Sequence, residues 1–472
     1  MNTTQRIVKN TTSLFFSGVF TRLLNSIIVV YLARVMGPGD FGKINFAVAI
    51  VAYFTMFANL GMPLLGAREI ARDRENINYY LSNILTLRLC ISILSFALLL
   101  LITFLLNKPF EIKYLIILYG LGLIPSALLL DWAFQGVEKM EYVGGGNILT
   151  AIIYVVLVLL FVKSPEELLL IPCFQVTGYI IAAGLIFSIF LRGFGRPQFK
   201  FDFISWRNIL RQALPIGISI IMIQIIYNID TVMLGFMRSN EEIGYYNAAY
   251  KIILLIILVG STYFDAIYPV ISNYYKTSLD SLKRLQDYTA KLMVTMAFPF
   301  ALGGTILAKP IMNLLYGPKY NEGIIAFQIL IWAAALIYVN MIYARGMWAC
   351  NKQNEYVKIV ITQAIVNIGL NFFLIPPLGT EGAAISTVCA EFLGFFFYYR
   401  EFNKVVSIPI HNYIIRPLLA SIVMALFLKL GVNMNIFLLI FGGMFIYTIS
   451  LYLMKGITRE DLMLVQSIVS GK

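Results

Sequence analysis

The sequence predicts an all-α integral membrane protein of about fourteen transmembrane helices, arranged as two pseudo-symmetric six-helix bundles followed by two additional C-terminal helices. Three observations carry that expectation. Of 472 residues, 60% are hydrophobic and only 13% charged, far from the balance of a soluble domain. The apolar residues gather into stretches near the roughly 20 residues that cross a bilayer. Short motifs from the first half of the chain return in the same order in the second.

Taken in order, the predicted spans are 12–34, 42–65, 82–106, 114–135, 144–163, 167–191, 211–234, 246–270, 290–315, 324–349, 357–376, 382–402, 412–430 and 433–455. Those at 357–376 and 412–430 are short or interrupted, so the count lies between twelve and fourteen. Arg6 and Lys9 precede the first span, but its apolar run exceeds the roughly 7–15 residues of a cleavable signal, so it is expected to be retained. The formal charge of +12 follows topology, not nucleic acid. The even-numbered connections, with Arg68, Arg72, Arg74, Arg192, Arg196, Lys200, Lys283 and Arg284 among others, carry about twice the Lys and Arg of the odd ones. By the positive-inside rule both termini are then cytoplasmic. The four cysteines fall in or beside apolar spans without paired spacing, and His411 is the single histidine. No metal or catalytic cluster is expected, and no cofactor beyond a coupling Na+ or H+.

The repeat is read from two pairs of motifs. Phe41-Gly42-Lys43-Ile44-Asn45-Phe46-Ala47 after the first span matches Ile243-Gly244-Tyr245-Tyr246-Asn247-Ala248-Ala249 after the seventh. Glu141-Tyr142-Val143 before the fifth matches Glu355-Tyr356-Val357 before the eleventh. Gly42 and Gly244 suit turns that need a permissive backbone, with the asparagine tying the turn to the helix start. Six spans per copy keep both copies in the same orientation, as in transporters whose substrate path runs between parallel repeats. The domains are therefore a lobe at 1–195, a cytoplasmic interfacial linker helix at 196–213, a second lobe at 214–405, and two further helices with a tail at 406–472. The linker alternates Phe201, Phe203, Ile204 and Trp206 with Asp202, Arg207 and Arg211, the pattern of a basic helix lying in the interface.

The run Tyr31-Leu32-Ala33-Arg34-Val35-Met36-Gly37-Pro38-Gly39-Asp40-Phe41-Gly42 resembles the first external loop of the O-antigen flippase type of polysaccharide exporters, within the multidrug/oligosaccharidyl-lipid/polysaccharide exporter superfamily. Asp230-Thr231-Val232-Met233-Leu234-Gly235 and Tyr316-Gly317-Pro318-Lys319-Tyr320 are similar to that family too. Gly37, Pro38, Gly42 and Gly244 are the structural turns of these motifs. The resemblance implies a V-shaped pair of bundles in the cytoplasmic membrane that moves an undecaprenyl-diphosphate-linked glycan outward, with membrane lipids and polysaccharide assembly proteins as partners and without enzymatic chemistry. A drug or cation antiporter of the same superfamily and a multi-span glycosyltransferase or polymerase are the alternatives. The outward connections are short, and the only adjacent carboxylate pairs on them are Glu166-Glu167 and Glu241-Glu242, which speaks against an enzyme.

Ionisable residues inside the spans need individual explanation, because each costs about 2.5–3.5 kcal/mol or more to insert uncompensated. Arg22 stands ten residues from the start of its span, on a polar stripe with Ser13, Ser17, Thr21, Asn25 and Ser26, ~15 Å deep at ~1.5 Å per residue. It is the leading candidate for a diphosphate, since a guanidinium fork matches phosphate oxygens. Asn25 and Ser26 would serve sugar hydroxyls. Arg88, Asp131 and Arg345 lie near cytoplasmic span ends, where long chains can snorkel; Arg88, Arg345 and Lys251 complete the candidate cationic lining. Asp230 with Lys251 forms a candidate gate or structural ion pair, and Glu391 a candidate ion carrier or a hydrogen-bonded buried carboxyl.

Overall fold

In hydrocarbon every backbone polar group must be satisfied within the protein, so apolar stretches of this length fold as helices. The computed structural model describes residues 3–194, 199, 201–431 and 434–456, and all regular elements among the described residues are helical. Contacts divide the chain into two compact units, Met1–Gly244 and Tyr245–Lys472.

The first unit contains α1 (Thr3–Asn59), α2 (Met62–Arg72), α3 (Ile77–Leu105), α4 (Phe110–Gly120), α5 (Leu123–Ala127), α6 (Asp131–Gly136), α7 (Met140–Phe161), α8 (Leu170–Phe194) and α9 (Phe203–Met237). A straight α1 of 57 residues would run ~85 Å, almost three times the ~30 Å of a bilayer core. Gly37 breaks it, with φ 70° and ψ 175°, and Pro38 starts the second arm with a φ already set for a helix. Among the described residues twelve helices are long and apolar enough to cross a membrane, or thirteen with the bent pair Phe203–Met222 and Gln224–Met237, which meet at 47°. The expected fourteen differs because α1, counted once here, reads in the sequence as two spans on either side of Gly37. Of the expected linker, Phe203 onward is the first turns of α9, where Asp202 caps the start by accepting from the N–H groups of Ile204 and Ser205; residues 196–198 and 200, like the tail at 457–472, lie outside the described residues.

The repeated motifs meet each other. A Cβ on Gly42 would stand 1.8 Å from the carbonyl oxygen of Asn240, and one on Gly244 would stand 2.0 Å from that of Pro38. Pro38 and Asn240 each precede their glycine by four residues, so the contact is reciprocal. This corrects the expected turn role of Gly42 and Gly244. Both lie inside helices and are glycine because another backbone occupies the place of a side chain, whereas the permissive dihedral belongs to Gly37. A second close approach joins Gly61, at φ +78°, to Gly217 of α9, whose Cβ would lie 2.6 Å from the backbone of Leu60. Between these approaches α9 packs along α1. The core beneath is built by Met62, Leu65, Leu85, Trp132, Phe134 and Phe190.

The second unit holds most of α10 (Asn240–Thr277), then α11 (Leu279–Ile306), α12 (Ala308–Tyr316), α13 (Ile324–Ala349), α14 (Gln353–Leu378), α15 (Thr380–Phe402), α16 (His411–Leu430) and α17 (Ile436–Leu453). Its main core gathers Phe264, Met293, Tyr338, Tyr343, Met347 and Phe402. A separate small core of Met424, Leu428, Leu439 and Leu451 joins α16 to α17. Large apolar side chains such as Leu101, Phe104, Phe373 and Phe441 stand mostly exposed, the surface that lipid covers in a spanning protein.

The glycine contacts predict a graded response. Gly42→Ala and Gly244→Ala each force two backbones apart and should lower stability in detergent by about 1–3 kcal/mol, whereas Gly145→Ala, with nothing within 4 Å of its Cβ, should be silent. Thermal unfolding of the three purified variants checks this.

Candidate functional site

The fourth predicted span is not one helix. It is broken into α4, α5 and α6 at Leu121–Gly122 and at Leu128–Leu130, where Gly120, Gly122 and Pro125 weaken or remove regular hydrogen bonding. Breaks of this kind leave carbonyls that need donors inside the membrane. Arg88 of α3 supplies them. Its Nη1 donates to the carbonyl oxygen of Leu129 at 3.3 Å, and its Nη2 donates to that of Ser126 at 3.2 Å and to Asn59 Oδ1 at 2.8 Å. Asn59, at the end of α1, is oriented in turn by donating from Nδ2 to the Thr55 carbonyl. Arg88 is 4% exposed, so the snorkelling expected from its place near a span end is corrected: the side chain turns inward because the broken span offers it acceptors there.

Beside this guanidinium lies a cavity of about 730 Å³. Its walls come from the second arm of α1, the start of α2, and from α3, α4, α5, α6, α8 and α9. Arg88 and Asp131 are its charged members; Thr55, Asn59, Ser126, Gln135, Gln175, Tyr179 and Gln224 give it hydroxyls and amides. Gln175 Nε2 donates to the Tyr179 hydroxyl at 3.2 Å, and Gln224 Oε1 accepts from Asn228. Arg88 Nε, Asp131 Oδ1 and the Tyr119 hydroxyl are buried without a hydrogen-bond partner. A guanidinium has five N–H donors, and three contacts to neutral acceptors solvate its charge without cancelling it. The volume falls in the range of small-ligand sites, and the wall chemistry suits an anion joined to a polyol.

The other predicted residues lie elsewhere. Arg22 and Asn25 are exposed on the first arm of α1, Ser26 donates its hydroxyl to the Arg22 carbonyl at 2.7 Å, and none of the three lines this cavity. Arg345 Nη1 stands 3.6 Å from Asp265 Oδ1, with both side chains partly exposed. Asp230 is buried on α9 of the first unit, and Lys251 is half-buried on α10 of the second. Glu391 is the hydrogen-bonded carboxyl of the second alternative: Asn340 Nδ2 donates to its Oε2 at 2.7 Å and to its backbone oxygen at 3.0 Å. The adjacent Gln363 donates to the Ala390 carbonyl and accepts from the Tyr398 hydroxyl. Sequence reading missed Gln135, Gln175 and Gln224, whose signal was an uncharged amide inside an apolar stretch, and missed the pull that Gly120, Gly122 and Pro125 exert on Arg88. Among the described residues no group of three or more His, Cys, Asp or Glu gathers as for a metal.

A multi-span bundle enclosing a polar cavity with a fixed cation defines a membrane carrier by its architecture. The chain belongs to the polysaccharide biosynthesis protein family, whose sequence profile matches residues 7–275. It is 24% identical over 375 residues to a putative O-antigen transporter of Escherichia coli (strain K12), covering 77% of this chain and 88% of that protein. It is 22% identical over 454 residues to the probable low-salt glycan biosynthesis flippase Agl15 of Haloferax volcanii, covering 94% and 95%. In fold it resembles the lipid II flippase MurJ in an inward closed conformation, with a TM-score of 0.77 at 15% identity over 97% of this chain and 100% of that one.

Replacing the central donor tests its structural share. Arg88→Met removes the donor to the Leu129 carbonyl and to Asn59 Oδ1 and one of the two donors to the Ser126 carbonyl, which keeps the Leu129 N–H, and thermal unfolding in detergent should show a loss of about 1–3 kcal/mol. Arg88→Lys, which keeps the charge and part of the donor set, should lose less.

Proposed function

We propose that the chain moves a polyprenyl-diphosphate-linked oligosaccharide from the inner to the outer leaflet of the cell membrane, with both termini cytoplasmic. The observation that carries this reading is the arginine-centred polar cavity enclosed by the helices of a polysaccharide biosynthesis family member. A sugar diphosphate cannot cross hydrocarbon unaided, while its prenyl tail can remain in lipid; the protein's task is to give the polar part an interior path. Arg88 offers the charge that a diphosphate requires and the amides of Gln135, Gln175 and Gln224 offer partners for sugar hydroxyls. A cavity of about 730 Å³ takes the diphosphate and the sugar next to it, not a long glycan at once. The names of the relatives, an O-antigen transporter and a glycan flippase, support the substrate class. The excess of Lys and Arg on the even connections supports the orientation.

The test is export in cells lacking the chromosomal copy. Arg88→Ala and Arg88→Lys should cut surface glycan by about tenfold or more and by less, respectively, at unchanged amounts of protein in the membrane. Arg22→Ala, outside the cavity, should retain most export. Full export with Arg88→Ala would remove the cavity from the transport path, and glycosyl transfer by the purified chain would replace a carrier with an enzyme.

A further inference from the structure

Asp131 is the second charge on the cavity wall, and the hydrogen bonds that hold Arg88 do not involve it. It opens α6 one turn before Gln135 and lines the cavity with Arg88. Its Oδ1 is buried without a donor, and among the described residues no hydrogen bond or ion pair holds its side chain. The charge that acts on it is Arg88. The titratable groups on neighbouring walls are Arg88 on α3, Tyr119 on α4 and Tyr179 on α8; α1 brings the neutral Thr55 and Asn59, α9 the neutral Gln224, α2 the apolar Pro63 and Leu64, and α7 brings Gly146, whose Cβ would lie 3.7 Å from Asp131 Oδ1. An ionised carboxylate without donors depends on a nearby cation for its compensation. When a diphosphate occupies Arg88, that compensation is shared with an anion, and the carboxylate then faces a like charge across a poorly solvated space.

We propose that headgroup binding is proton-linked: the anion and one proton enter the cavity together, the proton residing on the Asp131 carboxyl. The proton comes from the water in contact with the cavity and returns to water when the headgroup leaves. A protonated carboxyl removes the repulsion and gives the site an O–H donor for a phosphate oxygen. This rests on the carrier reading and adds to it a chemical condition for loading.

The experiment uses the full chain in lipid nanodiscs and farnesyl-diphospho-N-acetylglucosamine as probe, because both its phosphates are diesters whose charge does not change near neutral pH. Calorimetric titration in buffers of different ionisation enthalpy counts protons per ligand. Wild type should take up close to one proton at alkaline pH and bind more weakly as pH rises. Asp131→Asn should take up none, bind with a flat pH profile, and gain about tenfold or more in affinity at alkaline pH. Asp131→Glu should restore uptake, which separates proton binding from any structural part the carboxylate plays. Wild-type binding without proton uptake, or uptake that survives in Asp131→Asn, would overturn the proposal while leaving the carrier reading intact. No probe binding by wild type would overturn both.

Discussion

The structure depends on how a broken helix is satisfied inside a membrane. Once Gly120, Gly122 and Pro125 interrupt the fourth span, its carbonyls must find donors where water is scarce. Arg88 donates to Ser126 and Leu129, and Asn59 completes its shell. Helix break and buried cation explain each other: the break would be costly without the guanidinium, and the guanidinium would be costly without the break. Since all three acceptors are neutral, the arrangement stabilises the cation without extinguishing its field. That field reaches a cavity whose other polar groups are, apart from Asp131, uncharged.

Close backbone approaches supply the rest of the enclosure. Gly42 and Gly244 allow the starts of two equivalent helices to touch backbone to backbone, and Gly61 with Gly217 does the same further along α9. Such contacts leave no room for adjustment by side-chain rotation, so α9 is fixed along α1 at both approaches. This is why Gly217, Ile220, Ile221 and Gln224 of α9 can serve as a cavity wall. A sequence motif expected to mark a turn is a packing requirement, and each of its two occurrences supplies half of one contact.

The sequence made the helices legible because span length and apolar content are set by the bilayer and need no tertiary information. Gly37-Pro38 was legible as a break for the same local reason. The site was less so. Depth counted from the end of an apolar stretch placed Arg88 near water, yet Arg88 is buried. Counting depth along one helix cannot see which neighbour offers acceptors, and that choice decided where the arginine went. Glu391 was legible as a carboxyl within a span, but its partners Asn340 and Gln363 come from α13 and α14 and could not be chosen from spacing alone. The glutamines were passed over because an uncharged amide costs a span little on its own, and only convergence on one cavity gives it meaning.

A carrier has to release what it binds, and this sets limits on the charge of its cavity. Several unpaired arginines would hold a diphosphate too tightly to let it go, while an arginine fully matched by a bonded carboxylate would have little attraction left. The first unit lies between these extremes. Arg88 keeps neutral acceptors close and one carboxylate nearby but unbonded, so the pull on an anion is real yet tempered. The neutral amides around it add contacts that are worth about as much to a sugar as the water they replace, which gives orientation at little cost to release. Affinity in such a site is governed by the balance of two charges, and selectivity by the placement of uncharged groups. The same framework could therefore accept different glycans by exchange of Gln135, Gln175 or Gln224 while Arg88 and the broken span stay fixed.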